Sequence, residues 1–223
     1  ELARLPYTGS GVAASAIAMS KFLGKRLAAS AGVPCAPDAV YERPSPAGAK
    51  PPAFGFPLVV KPDREGSTVG ITIVRDPSAW EAALAEAARY DPRVLVEGFV
   101  PGREITVGIV NGRILPAIEI VPKSGFYDYH AKYLADDTEY LFEIDLPAEV
   151  LERVKGLTLK AFDAVGCRHF SRIDWIVESG TNQPFCLEIN TIPGFTDHSL
   201  LPKAAARVGI GFADLCQRIV ELT

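Results

Sequence analysis

The chain is poor in cysteine, methionine and histidine: four Cys, one Met and three His in 223 residues. Cys35, Cys167, Cys186 and Cys216 are scattered, with no CxxC pair. That argues against a disulfide framework and a zinc site, and leaves buried thiols in a reducing, cytoplasmic compartment as the expectation. No basic run occurs, and a net charge of −4 argues against nucleic acid as a partner. Long apolar runs are missing too. The most alanine-rich stretch, Val12 to Ala31, is interrupted by Lys21, Lys25 and Arg26, so it cannot span a bilayer, and no secretory leader is visible. Neither a Walker A loop, a GxSxG elbow nor an HExxH helix is present, which leaves the corresponding hydrolase chemistries without support. The chain opens on Glu-Leu-Ala-Arg rather than methionine, as a fragment or a processed product would.

What is there is a 48% hydrophobic chain, enough to bury a core in one large or two small domains. Helical periodicity covers Ser15 to Ala31, Pro77 to Tyr90 and Ala148 to Val165, and two more helices close the chain at Leu200 to Gly209 and Phe212 to Leu222. Short strands are expected at 57–61, 70–74, 93–97, 104–110 and 113–121, the last two joined by Asn111-Gly112, a strong hairpin signal. A proline-rich connection spans 41–57, and Lys123 to Asp137 reads as a long polar, aromatic loop. The order predicts an α+β fold: a small lobe to about residue 95, then a larger lobe on an antiparallel sheet.

The densest chemistry lies in two neighbouring segments. Ser171-Arg-Ile-Asp-Trp175 and Leu187-Glu-Ile-Asn190 flank a polar Ser-Gly-Thr-Asn-Gln turn, so they read as a hairpin. Centred near Thr181, it sets Asp174 opposite Glu188, with Arg172 and Asn190 on the same face because strand side chains repeat every two residues. Like charges opposite one another are destabilising, so the arrangement points to a divalent cation with an arginine beside it. The loop Lys61 to Gly70 carries hydroxyls and glycines that can approach phosphate oxygens, although alone it could be an exposed turn. Lys21 on a helix is by itself a solvated group. Lys132 lies in Phe126-Tyr-Asp-Tyr-His-Ala-Lys-Tyr133, a candidate lid. His169 and His198 lack a nucleophile motif, so polar surface or partner-satisfied roles are expected, and Thr8-Gly-Ser-Gly11 reads as a turn into a helix. Separated cations, a phosphate loop, a lid and an acidic cluster are the parts that phosphoryl transfer requires.

Six segments carry a family resemblance: LPYTGSGVAASAIAMSK (Leu5 to Lys21), LVVKPDREGSTVG, VLVEGFVPGREITV (Val94 to Val107), FYDYHAKY, SRIDW and LEINTIPGFTDHSL. In this order the chain resembles the D-alanine–D-alanine ligases of the ATP-grasp superfamily over nearly its whole length. The resemblance implies two α+β lobes with ATP between them: an entry segment over 1–20, a small lobe over 21–95 and a large lobe over 96–223. It implies ATP-dependent joining of two D-alanines through an acyl phosphate for peptidoglycan synthesis, with small-molecule partners, no nucleic acid or membrane, and a homodimer as the common oligomer.

By position, Lys21, Lys61, Ser67, Thr68 and Lys132 would serve the ATP phosphates, and Glu97, Val100 and Glu104 the adenine and ribose. Asp174, Glu188 and Asn190 would hold two Mg²⁺, with Mn²⁺ as a substitute. Arg172 and the N–H of Gly194 would stabilise developing negative charge. Ser199 and Leu200 would receive the second D-alanine, and Ser67 and Tyr133 would order the loop over the site. Gly98 stands where many relatives have lysine, His130 where glutamate is common, and Asp63 where serine is common. Family members also carry a further N-terminal domain of roughly a hundred residues, which supplies a glutamate for the first D-alanine and which the resemblance implies is absent. Two other readings stay open: a nucleotide-binding module without ligase activity, and a ligase for a different D-amino or hydroxy acid acceptor.

Overall fold

Short β-branched runs punctuated by glycine and proline fold into two antiparallel sheets. The computed structural model describes residues 1–43, 47–122 and 138–223. The aromatic loop with His130, Lys132 and Tyr133 lies outside the described residues. β1 (Asp38–Glu42), β2 (Leu58–Pro62), β3 (Thr72–Val74) and β4 (Arg93–Gly98) form the smaller sheet, in the order β1-β4-β2-β3. Helix α3 (Trp80–Ala88) follows a single turn capped by Asp76, whose carboxylate accepts from the Ser78 N–H at 3.0 Å. It buries Trp80, Leu84 and Ala87 against Leu58, Val60, Val94 and Val96, which is the core of this lobe.

The larger sheet runs β10-β9-β5-β7-β8, with the short β6 paired to β5. Its strands are β5 (Gly102–Val110), β6 (Arg113–Ile114), β7 (Ile118–Pro122), β8 (Thr138–Leu141), β9 (Phe170–Glu178) and β10 (Pro184–Asn190). Alternation decides which side chain goes where. Ile105, Val107, Ile109, Ile173, Trp175 and Val177 bury in one core with helix α4 (Ala148–Val165), together with α1 (Val12–Met19) and α2 (Lys21–Ser30). A second core packs α5 (Leu200–Arg207) and α6 (Phe212–Val220) on Val110, Ile118, Ile120 and Phe170. Other positions, among them Glu104 and Asp174, face the space between the two sheets.

Three features depart from the sequence expectations. The helix expected over Ser15 to Ala31 is two helices, broken at Ser20 (φ −87°, ψ 110°). Ser20 caps α2 by accepting from the Leu23 N–H at 3.2 Å, and its hydroxyl donates to Asp63 Oδ2 at 2.6 Å. The strand expected over 113–121 is interrupted at Leu115-Pro116-Ala117, because proline has no N–H for the ladder. The Asn-Gly turn itself forms, with Asn111 at φ 50° and Gly112 at φ 70°, and Val110 pairs with Arg113 across it. Finally, β1 and β8 carry too weak an alternation to be picked out beforehand; their neighbours β4 and β7 supply the ladders that fix them. The apolar side of α2 packs through Ala28 on the larger lobe's core, although its sequence position adjoins the smaller lobe.

Candidate active site

The hairpin forms with the expected facing. Glu188 pairs with Asp174, Ile189 with Ile173 and Asn190 with Arg172. Further in, the register shifts between Cys186 and Glu188. This irregularity leaves Leu187 unpaired, and Leu187 and Glu188 both line the cleft. Asp174 is the hub. Its Oδ1 accepts from Thr106 Oγ1 (2.6 Å) and Arg172 Nε (3.0 Å), and its Oδ2 from Arg172 Nη2 (2.8 Å) and Asn190 Nδ2 (3.2 Å). Asn190 Nδ2 also lies 3.2 Å from Glu188 Oε1, and Lys21 Nζ lies 3.7 Å from Glu188 Oε2. Two carboxylates are therefore held together with an amide between them. Oxygen donors of this hardness suit Mg²⁺ or Mn²⁺, so the two carboxylates fit such an ion.

Opposite the hairpin, across a cleft of about 360 Å³, stands a buried trio of charges. Glu97 on β4 bonds Lys61 Nζ on β2 through Oε2 at 2.8 Å and the Lys25 ammonium on α2 through Oε1. Burial pushes the Glu97 carboxyl up, but the two ammonium groups outweigh it and hold the group at about 2. Lys61 is pulled below the ordinary lysine value by burial, a pull that Glu97 opposes without cancelling. Burial acts on Lys25 in the same sense, yet there the contact with Glu97 wins and the value is raised.

Between trio and hairpin lies the β2–β3 turn. Ser67 (φ 55°) and Thr68 (φ 64°) are consecutive non-glycine residues in the left-handed region, each costing on the order of 1 kcal/mol. Such strain concentrates at ligand clamps. Gly70 closes the turn, and a Cβ there would stand 2.7 Å from the Tyr90 ring. Lys21 donates to the Glu65 carbonyl of the turn. Asp63, fully buried, accepts from the Ser20 hydroxyl and from the Phe22 N–H at 2.8 Å, while the Lys21 N–H donates to its carbonyl at 3.1 Å. That ties the start of α2 to the end of β2, and so sets the spacing of Lys21 and Lys61.

The cleft gathers most of the expected residues: Lys21, Lys61, Thr68, Glu97, Val100, Glu104, Asp174 and Glu188 all line it. Arg172 and Leu200 share a shallow neighbouring hollow with Thr106 and Gly108. Gly194 and Ser199 meet in the loop before α5, where the Ser199 hydroxyl oxygen accepts from the Thr196 N–H at 3.0 Å instead of capping the helix. Ser67 and Asn190 stand beside lining residues without forming the wall themselves. His169 is partner-satisfied, its Nδ1 accepting from the Gly9 N–H at 3.0 Å, and His198 is exposed. Lys132 and Tyr133 lie outside the described residues.

Sequence reasoning missed Lys25 and the work of Asp63. A helix lysine is ordinarily solvated, yet Lys21 and Lys25 are both buried. The available signal was their spacing of four, which puts both on one face of a helix. For Asp63 the signal was weaker, an acid next to a proline at a strand end.

Residues 27–221 match the family model described as D-ala D-ala ligase C-terminus. A D-alanine–D-alanine ligase from Citrifermentans bemidjiense is 49% identical over 99% of this chain and 71% of its own length. Among solved structures, the D-alanine–D-alanine ligase from Bacillus anthracis complexed with ATP is 31% identical with a TM-score of 0.81, covering 98% of this chain and 70% of that one. A D-Ala:D-Ser ligase from Enterococcus faecalis is 28% identical with a TM-score of 0.84, covering 99% of this chain and 66% of that one. With an acidic hairpin facing buried lysines across one cleft, and with these likenesses over almost its whole length, the chain belongs to the D-alanine–D-alanine ligase family.

Proposed function

We propose that the protein joins two D-alanines at the expense of ATP, for peptidoglycan precursor synthesis. The γ-phosphoryl group passes to the carboxylate of the first D-alanine. The amine of the second attacks that acyl carbon, phosphate leaves with the electron pair of the C–O bond, and the amine loses its proton. One observation carries this beside the family match: Asp174, Glu188, Lys21 and Lys61, distant in sequence, line a single cleft.

Lys21 and Lys61, with Ser67 and Thr68 of the strained turn, bind the phosphates, and Lys132 meets the transferred phosphoryl group. Glu97, Val100 and Glu104 line the adenine and ribose end. Asp174, Glu188 and Asn190 would hold two Mg²⁺, which when bound would neutralise phosphate charge. Arg172, anchored on Asp174 through two hydrogen bonds, and the Gly194 N–H face the charge that develops on the acyl oxygen. Ser199 and Leu200, at the start of α5, take the carboxylate of the second D-alanine, and Ser67 acts together with Tyr133, which lies outside the described residues. In this proposal the smaller lobe runs past the expected boundary at 95 to the end of β4 at Gly98, and α2 lies as a bar between the lobes, packed on the larger one. No described helix is long and apolar enough to cross a membrane. The reading places the enzyme in the cytoplasm, as a homodimer with small molecules as its substrates.

The test is phosphate release from ATP by the complete polypeptide, with Mg²⁺ and D-alanine, alongside chromatography of the product. D-alanyl-D-alanine is expected. Nucleotide binding without any phosphate release would leave a binding module, and better use of D-serine or D-lactate would change the acceptor.

A further inference from the structure

Lys25 is a buried charge for which the mechanism above has no use. It is 2% exposed, lies one turn beyond Lys21 on α2, and is not part of the cleft wall. Its ammonium takes Glu97 Oε1, while Lys61 takes Oε2 at 2.8 Å. Both oxygens of one carboxylate are thus occupied, each by a lysine from a different element.

The elements matter. α2 packs its apolar side on the core of the larger sheet, whereas Glu97 and Lys61 stand on neighbouring strands of the smaller one, β4 and β2. The Lys25–Glu97 bond therefore crosses between the lobes. A Glu97–Lys61 pair alone would be neutral. With Lys25 added, two ammonium groups share one carboxylate, and the trio presents one net positive charge to the cleft from a site where low dielectric strengthens its field.

We propose that Lys25 is a positioning residue for the nucleotide: it clamps Glu97 across the lobe junction, keeps Lys61 in the cleft wall, and supplies the charge that makes the trio attract phosphate. This rests on the nucleotide site proposed above. A buried lysine serving stability alone would need its partner but not the ligand, and that difference can be measured.

The experiment measures MgATP binding by calorimetry and initial ligase rates for the complete polypeptide and for Lys25→Met, Lys25→Gln and Lys25→Arg, with Glu97→Gln alone and combined with Lys25→Met. Lys25→Met and Lys25→Gln are expected to raise Kd and KM for ATP about tenfold while kcat stays within about twofold, a split expected when an electrostatic contribution to binding is lost. Lys25→Arg should recover most of the affinity. In the Glu97→Gln background Lys25→Met should add little, because its partner is already altered. Should Lys25→Met fail to fold, Lys25→Gln keeps a donor for Glu97 without the charge and still decides the matter. A folded Lys25→Gln protein that binds MgATP like the wild type overturns the role of Lys25, as does additivity in the double variant. A wild type that binds no MgATP overturns the nucleotide site itself, and the role of Lys25 with it.

Discussion

The two walls of the cleft are built in opposite ways. The acidic wall is local: Asp174, Glu188, Asn190 and Arg172 come from one hairpin, and a strand period of two places them on one face. The cationic wall is assembled from afar. Lys25 and Glu97 are 72 residues apart, and Lys61 and Glu97 are 36 apart. Glu188 on the acidic wall touches solvent, with a side chain 26% exposed, although its partner Asp174 is buried; Glu97 is 3% exposed. Removing the Glu188 charge should therefore cost chemistry, and removing the Glu97 charge should cost folding as well.

The largest effect tests the acidic wall. Glu188→Gln is expected to lower turnover by about a hundredfold or more and to weaken Mg²⁺ binding, with the fold intact because half of a repulsive pair has gone. Metal titration and thermal melts read both. An unfolded variant with normal metal binding would make these acids structural and erase the contrast.

Next comes the cationic wall. Glu97→Leu leaves two ammonium groups buried without their shared carboxylate, and breaking a buried pair in this way costs about 3–5 kcal/mol. A Tm lowered by roughly 10 °C or more is expected; a melt unchanged from the wild type would show that Lys25 and Lys61 find water instead.

Acid titration sharpens the same point. Glu97 is ionised in the fold down to about 2, against an ordinary value of 4.5. Its folded value is depressed, so its contribution to stability is complete above 4.5 and is lost as pH falls from there towards 2. Glu97→Gln should flatten that part of the stability profile in urea denaturation at graded pH. An identical acid limb in both proteins would show that other carboxylates govern it.

A smaller effect is expected between the walls. Asp63→Ala removes the acceptor of the Ser20 hydroxyl and the Phe22 N–H, at a cost of about 1–3 kcal/mol, and should raise KM for ATP as Lys21 loosens. Asp63→Asn keeps an acceptor and should fall between. Equal KM values in all three proteins would separate the clamp from nucleotide binding. Smallest of all is the remote Asn-Gly turn, where Gly112→Ala at φ 70° should cost about 1 kcal/mol with unchanged kinetics.

The hairpin was legible because its signals sit within a few residues: polar turn, alternating apolar positions, paired acids. The helix Ala148–Val165 was legible to the residue, since it carries a continuous apolar stripe and ends at Gly166 with φ 76°. Lys25 was not, because burial of a lysine depends on a carboxylate brought from a distant strand. The break at Ser20 was hidden for the same reason: the local pattern is helical, and the buried Asp63 carboxylate outweighs it.

The sequence by itself determined most of the elements, the facing of the acidic hairpin and the chemical classes gathered for phosphoryl transfer, since periodicity and turn chemistry act over short stretches of chain. Tertiary structure decided which lysines are buried, how one carboxylate is shared between two of them, and that α2 bridges the lobes. Those outcomes turn on desolvation and on charges from distant segments meeting at hydrogen-bonding distance, which no local pattern encodes.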